Sequence, residues 1–211
     1  MAKWLLFVGL LGGLALAAPA DGKPKPKPPV KTTDGEVKVH IRGMLKSGIV
    51  AIGGETTGYL ISADGVSWEL DFRTNKEARA QADKLSGQPV EVTGTFISRE
   101  GVEVRRRQIV TVDTFKPAEA KDDLFVKVTI RGTLKTGIVA IGGETTGTQV
   151  TAGGTTWELD LSKDKDLQAL AQKLNGQTVV VSGTLTVRKT VAAPPRLRSI
   201  VTVTSLTPAG K

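Results

Sequence analysis

Between residues 37 and 42, Val37, Val39 and Ile41 alternate with Lys38, His40 and Arg42. A period of two predicts a strand with one buried face. Residues 59–62 predict a short second strand, and Trp68, Leu70 and Phe72, alternating with Glu69 and Asp71, predict a third. The period then changes. Ala78, Ala82 and Leu85 share one face of a helix, Thr74 stands three residues before Glu77 as a capping box, and Gly87 suits the C′ position. Residues 90–97 and 108–115 return to alternation and predict two more strands. The predicted order is strand, strand, strand, helix, strand, strand.

The same pattern then recurs. VKVHIRGMLKSGIVAIGGETTG begins at Val37 and VKVTIRGTLKTGIVAIGGETTG at Val126, an offset of 89. Trp68-Glu69-Leu70-Asp71 returns as Trp157-Glu158-Leu159-Asp160, and Lys84-Leu85-Ser86-Gly87-Gln88 as Lys173-Leu174-Asn175-Gly176-Gln177. Val92-Thr93-Gly94-Thr95 returns as Val181-Ser182-Gly183-Thr184, after which the register slips by two near Pro194-Pro195. Leu167, Ala171 and Leu174 fill the matching helix face. The second half is a duplicate of the first. The expected organisation is a signal peptide at 1–20, a Lys/Pro-rich linker at 21–36, one repeat at 37–116, a short linker at 117–123 and a second repeat at 124–208. Each repeat is expected to be a compact unit, and units this small gain from packing on each other.

Five strands with a helix between the third and fourth is the order of an OB-fold, a small Greek-key barrel. Two tandem OB-like barrels are therefore expected. The alternatives are SH3-like barrels or a β-sandwich that pools both repeats. The string GIVAIGGETTG, then WELD, then a short helix ending in L-[SN]-G-Q, then V-x-V-[TS]-G-T resembles a group of uncharacterised exported bacterial proteins that carry copies of such a domain. That resemblance implies the fold and implies no catalytic residue.

The eleven residues 48–58 recur without change at 137–147. They connect the first two strands, beside the usual OB ligand face. They are no phosphate loop, because Gly54 and Glu55 stand where a Walker motif needs Lys and a hydroxyl residue. Gly53, Gly54, Gly142 and Gly143 suit a bend or bulge in the backbone. Ile49, Val50 and Ile52 are placed to plug the barrel end, Thr56 and Thr57 to satisfy bent backbone, and Glu55 to pair with an arginine. Glu55, Thr56, Thr57, Glu144, Thr145 and Thr146 are also candidate binding residues. No metal is expected. If one bound, Glu55, Glu69 and Asp71 would supply the oxygens.

Charge and composition then narrow the partners. Lys3 followed by the apolar run 4–16 and small residues reads as a secretory signal, too short to cross about 30 Å of hydrocarbon comfortably. A periplasmic or secreted location follows, with no membrane span left after cleavage. The chain has no cysteine, so stability rests on core burial rather than disulfides. Net charge is +8. Residues 37–119 carry 12 Lys/Arg against 11 Asp/Glu, and residues 124–211 carry 11 against 5, so the excess lies in the second half. Arg105, Arg107, Arg188, Arg196 and Arg198 are candidate contacts for a polyanion. Segments 48–58, 137–147, 99–107 and 188–198 should line the contact surface.

Catalysis finds little support. His40 has Thr129 as its counterpart and reads as a solvated surface residue. The carboxylate pairs Glu69/Asp71 and Glu158/Asp160 read as exposed strand faces balanced by Lys and Arg, and Trp68 and Trp157 as core. Scarce aromatics and the acidic strand face argue against nucleic acid. The expected function is a non-enzymatic binding or interaction module, without cofactor, for an envelope polysaccharide or another exported protein. A carboxylate-dependent hydrolase and a purely structural envelope protein are the other readings.

Overall fold

The computed structural model describes residues 35–51, 54–102, 104, 106–120, 122–139, 145–190 and 197–210. The first repeat holds β1 (Glu36–Ser47), β2 (Tyr59–Ala63), β3 (Val66–Asp71), α1 (Lys76–Lys84), β4 (Pro89–Arg99) and β5 (Arg107–Pro117). The second holds β6 (Phe125–Thr136), β7 (Thr148–Ala152), β8 (Thr155–Asp160), α2 (Lys165–Lys173), β9 (Thr178–Lys189) and β10 (Leu197–Pro208). All lie in the compact unit Thr32–Lys211. Signal and linker, apart from Gly35 and Glu36, fall outside the described residues.

The alternation of β1 buries Val37, Val39, Ile41 and Leu45. Its first part pairs antiparallel with β4, from Val37↔Phe96 to Met44↔Pro89, and its last part with β2, from Met44↔Ser62 to Ser47↔Tyr59. One strand can serve both neighbours only if its backbone comes close at the crossing. A Cβ on Gly43 would sit 2.7 Å from the Ser62 carbonyl oxygen, and one on Gly132 2.3 Å from that of Thr151. Glycine alone fits there. β2 pairs antiparallel with β3, β3 parallel with β5, and β5 antiparallel with β4, closing a five-stranded barrel. β6 to β10 close a second in the same way. Both are OB-like barrels, so the SH3-like and pooled-sandwich alternatives fall away.

The helix ends differ in detail from expectation. Asn75, not Thr74, caps α1, its Oδ1 accepting from the Ala78 amide at 2.9 Å. Asp164 does the same for α2, accepting from Asp166 and Leu167. Gly87 stands two residues past the C-cap Leu85 with φ 80°, and its amide donates to the Leu45 carbonyl at 2.8 Å. Gly87 therefore ties the helix exit to β1 rather than closing the helix itself.

The repeats are joined strand to strand. β1 and β6 pair antiparallel from Glu36↔Arg131 to Arg42↔Phe125, making the sheet continuous through both barrels. Under this pairing the cores merge. Trp68 and Trp157 are 2 % and 1 % exposed, as the alternation required. The Phe96 ring lies 4.9 Å from Trp68 and 5.1 Å from Trp157, and the two indoles meet edge to face at 6.3 Å. The Trp68 indole donates to Gln108 and that of Trp157 to the Ala152 carbonyl, so neither buried N–H is wasted. The turn of the second barrel is also held by the first, with the Ser98 amide donating to the Gly153 carbonyl at 3.1 Å.

A charge cluster seals the outer edge of this junction. Glu91 accepts from Arg42 at 3.0 Å and shares a 2.8 Å hydrogen bond with His40, and Lys116 stands 3.1 Å away. Arg42 foremost, then His40 and Lys116, hold the Glu91 carboxyl down to about 2, against a smaller upward push from burial. Phe125 packs edge-on to His40 and under the cations of Arg42 and Lys127. His40 is thus half-exposed and bonded rather than freely solvated.

Because Phe96 belongs to both cores, Phe96→Ala should cost about 3–5 kcal/mol. Denaturant unfolding followed by tryptophan fluorescence and by circular dichroism should show one transition, shifted as a whole. Two separated transitions in the wild type would contradict the shared core.

Candidate functional site

The recurring loop is held from outside itself. On β3, Glu69 faces away from the barrel core. It takes two hydrogen bonds from the Arg107 guanidinium, at 2.7 and 2.6 Å, and one from the Thr57 amide at 2.9 Å. In the second repeat Glu158 takes the same three, from Arg198 at 2.7 and 2.5 Å and from the Thr146 amide at 3.2 Å. A fork-to-fork pair of this kind is both strong and directional. The loop's own residues complete the set. The Thr56 hydroxyl accepts from the Gly58 amide, the Thr57 hydroxyl donates to the Tyr59 carbonyl, and the Ile49 amide donates to the Gly58 carbonyl. Thr145, Thr146 and Ile138 repeat all three contacts with Gly147 and Thr148. Gly54 takes φ 72°, a left-handed conformation that suits glycine, while its amide donates to the Ala51 carbonyl.

These contacts account for most of the repeated string and revise several expectations. Arg107 and Arg198 are not free polyanion contacts, because their guanidinium groups are partly buried on carboxylates. Glu69 and Glu158 are not on an open, solvated strand face, for the same reason. Val50 and Val139 do not plug the barrels. They are 89 % and 90 % exposed, while Ile49 and Ile138 are half-buried. Glu55 does not grip an arginine directly. Its carboxylate accepts the Val102 amide at 2.6 Å, tying the loop to the β4–β5 connection. Arg105, Arg196, Glu144, Gly53, Gly142, Gly143 and Ile52 lie outside the described residues. Glu55, Glu69 and Asp71, the carboxylates considered for a metal, are each occupied by protein donors. Among the described residues no three His, Cys, Asp or Glu side chains gather as a metal set.

The clasp shifts its acids. Burial pushes the Glu69 carboxyl up, but the Arg107 and Thr57 hydrogen bonds and the Arg107 charge together outweigh it and leave it below its ordinary value of 4.5. Glu158 is also lowered, chiefly by the Arg198 hydrogen bonds. The Arg107 guanidinium is raised in turn.

Beside the clasp in the first repeat lies an open groove of about 440 Å³. Thr56, Thr57, Asp71, Arg79 and Arg99 reach it, from the loop, β3, α1 and β4. Asp71 accepts from the Arg73 amide, and Arg79 donates to the Arg73 carbonyl at 2.7 Å. Arg99 is exposed, and among the described residues no hydrogen bond or ion pair engages its side chain. The groove therefore offers the exposed guanidinium of Arg99, a second one nearby, two threonines and a carboxylate. Anions suit the first pair and hydroxyls the rest. Arg79 was not singled out from sequence, because its counterpart is Gln168 and the repeat comparison passes over it. Tyr59, whose counterpart is Thr148, also lines the groove and donates to Asp83 at 3.0 Å.

Removing a clasp arginine leaves a partly buried carboxylate short of two donors. Arg198→Ala should cost about 1.5–3 kcal/mol, measured as a lower denaturant midpoint at unchanged slope. The lowered Glu69 and Glu158 stabilise the fold fully above about 4.5, their unfolded range. That contribution is lost as pH falls through the lower folded values. Glu69→Gln with Glu158→Gln should flatten the acid limb of stability against pH, and an unaltered limb would contradict the assignment.

Comparison with known proteins adds little beyond the fold. No family model matches the chain, and no curated protein matches it. Among solved structures it is similar to a deletion mutant of the single-stranded DNA binding protein from Thermus aquaticus, at 16 % identity and a TM-score of 0.48, covering 84 % of this chain and 96 % of that one. One expectation is corrected by this finding. Nucleic acid was argued against from sequence, yet a chain similar over most of both lengths carries a DNA-binding name, so that exclusion is withdrawn. Among the described residues no helix is long and apolar enough to cross a membrane.

Proposed function

We propose that the chain is an exported, non-enzymatic binding module that takes an anionic polymer in the groove beside the clasped loop. The observation that carries this is Arg99, exposed and without a side-chain partner among the described residues, over a groove whose edges are tied by hydrogen bonds. The duplicated clasp fixes Thr56 and Thr57 there, and Arg79 and Asp71 stand around them. A preformed site loses little order on binding. Three features support a binder over a hydrolase. Asp71 is tied to backbone, Glu69 is held on Arg107 and the Thr57 amide, and the groove beside them is open rather than a closed cleft.

Export is supported by Lys3, the apolar run 4–16 and the small residues that follow, and by the resemblance to exported proteins. Outside the cell the anionic polymers within reach include acidic polysaccharides. Asp71 and the two threonines favour that occupant, since a sugar chain brings hydroxyl donors as well as carboxylates. Single-stranded nucleic acid shares the negative charge and belongs in the same test.

The mature chain should bind fluorescent oligogalacturonate or (dT)₂₀ in an anisotropy titration, with affinity falling as salt rises. Arg79→Ala and Arg99→Ala, combined with Arg188→Ala at the repeat counterpart of Arg99, should weaken binding at least about tenfold, or roughly 1.4 kcal/mol, without changing the melting temperature. Salt-independent binding, or binding indifferent to all three arginines, would reject the groove.

A further inference from the structure

The two copies of the loop do not lie side by side. β1 and β6 run antiparallel with Val39 opposite Val128. Adding the repeat offset of 89 carries the pair Lys38↔Thr129 onto Lys127↔His40, which is also a pair in the register. The junction is therefore a pseudo-two-fold, centred at Val39 and Val128. From that centre Ser47 lies eight residues along β1 (47 − 39) and Thr136 eight along β6 (136 − 128), in opposite directions. Each launches one copy of the clasped loop. At about 3.3 Å per residue the two exits stand up to roughly 50 Å apart, less whatever the barrel curvature takes away.

Part of the first site recurs at the other end, with Gln168 in place of Arg79 and Thr148 in place of Tyr59. Thr145, Thr146, Asp160 and Arg188 occupy the positions of Thr56, Thr57, Asp71 and Arg99. The second clasp repeats the first bond for bond. Arg188, like Arg99, is exposed. Its charge reaches Asp160, whose carboxyl is lowered chiefly by the Ser162 hydrogen bonds and further by Lys163 and Arg188. Among the described residues between the ends, Lys38 is paired with Glu36 at 3.3 Å and with Asp113 at 3.7 Å, Arg42 and Lys116 with Glu91, and Lys127 stands over the Phe125 ring, while Lys46 on β1 and Arg131 and Lys135 on β6 are exposed.

We infer that the protein is a two-headed bridge, binding one acidic polysaccharide strand at each end and so cross-linking two strands. This rests on the groove being an anion site, and adds to it valence and direction. A strand wrapped around a single molecule is the competing arrangement.

The experiment uses the mature chain in two formats. Calorimetric titration with a short oligogalacturonate should give two oligomers per chain, and mixing with long polygalacturonate should give light scattering that rises and then falls as protein exceeds polymer. Arg99→Ala and Arg188→Ala should each lower the stoichiometry from two to one and abolish the scattering, while the binding of the remaining site persists. Together they should abolish binding. One oligomer per wild-type chain, a compact one-to-one complex with long polymer, or scattering that survives either single change would overturn the bridge while leaving the groove intact. No binding at all would remove the groove reading and the bridge with it. The same pattern with (dT) oligomers, and none with galacturonate, would overturn the choice of polymer.

Discussion

A carboxylate on one strand, gripped by an arginine on its parallel neighbour, sets the shape of a loop that belongs to neither. β3 and β5 place Glu69 and Arg107 within fork-to-fork reach, with Glu69 paired in register to Ile109. The remaining acceptor capacity of Glu69 then fixes the Thr57 amide. The described residues of the loop belong to no helix or strand, so beyond the Ile49–Gly58 and Gly54–Ala51 backbone bonds the loop relies on that external acceptor and on two threonine hydroxyls of its own. The acid, the arginine and the threonine pair reappear together in the second copy. That dependence is a physical reason for the string to recur unchanged while the outer strand faces diverge.

The pairing of β1 with β6 supplies the second constraint. An exposed OB edge would leave backbone donors and acceptors unpaired and open to association. Here each repeat covers the edge of the other, and the aromatic group of Trp68, Phe96 and Trp157 fills the space beneath. Small barrels gain core this way that neither could bury alone. The antiparallel register also sends the two loops to opposite ends, which ties the architecture to any reading of valence.

Much of the fold was legible because periodicity reports burial directly. Val37, Val39, Ile41, Trp68 and Leu70 all point inward as their alternation requires. The β1–β6 contact was hidden, because the pattern Lys38, His40, Arg42 reads the same whether a strand edge meets water or a second strand. Edge pairing is a backbone event and leaves no mark on the alternation of side chains. The half-burial of Glu69 was hidden for a related reason. Period two says which side of a sheet a residue takes, not that Arg107 and a loop will cover it there. The site was legible only in part. Thr56, Thr57 and Asp71 could be found by their recurrence, whereas Arg79 could not, since it is a difference between the repeats. Arg107 and Arg198 were rightly noticed as cations and misassigned in role, because sequence shows charge without showing its partner.

The role of the clasp is tested most directly by hydrogen exchange at two amides, Thr57 and Thr146. Neither residue belongs to a strand, and exchange at such positions is ordinarily fast. They should be protected in the wild type, and each should lose protection when its own glutamate is changed to alanine, Glu69 for Thr57 and Glu158 for Thr146, while strand amides of β4 and β9 keep theirs. Fast exchange at both threonines in the wild type would contradict it.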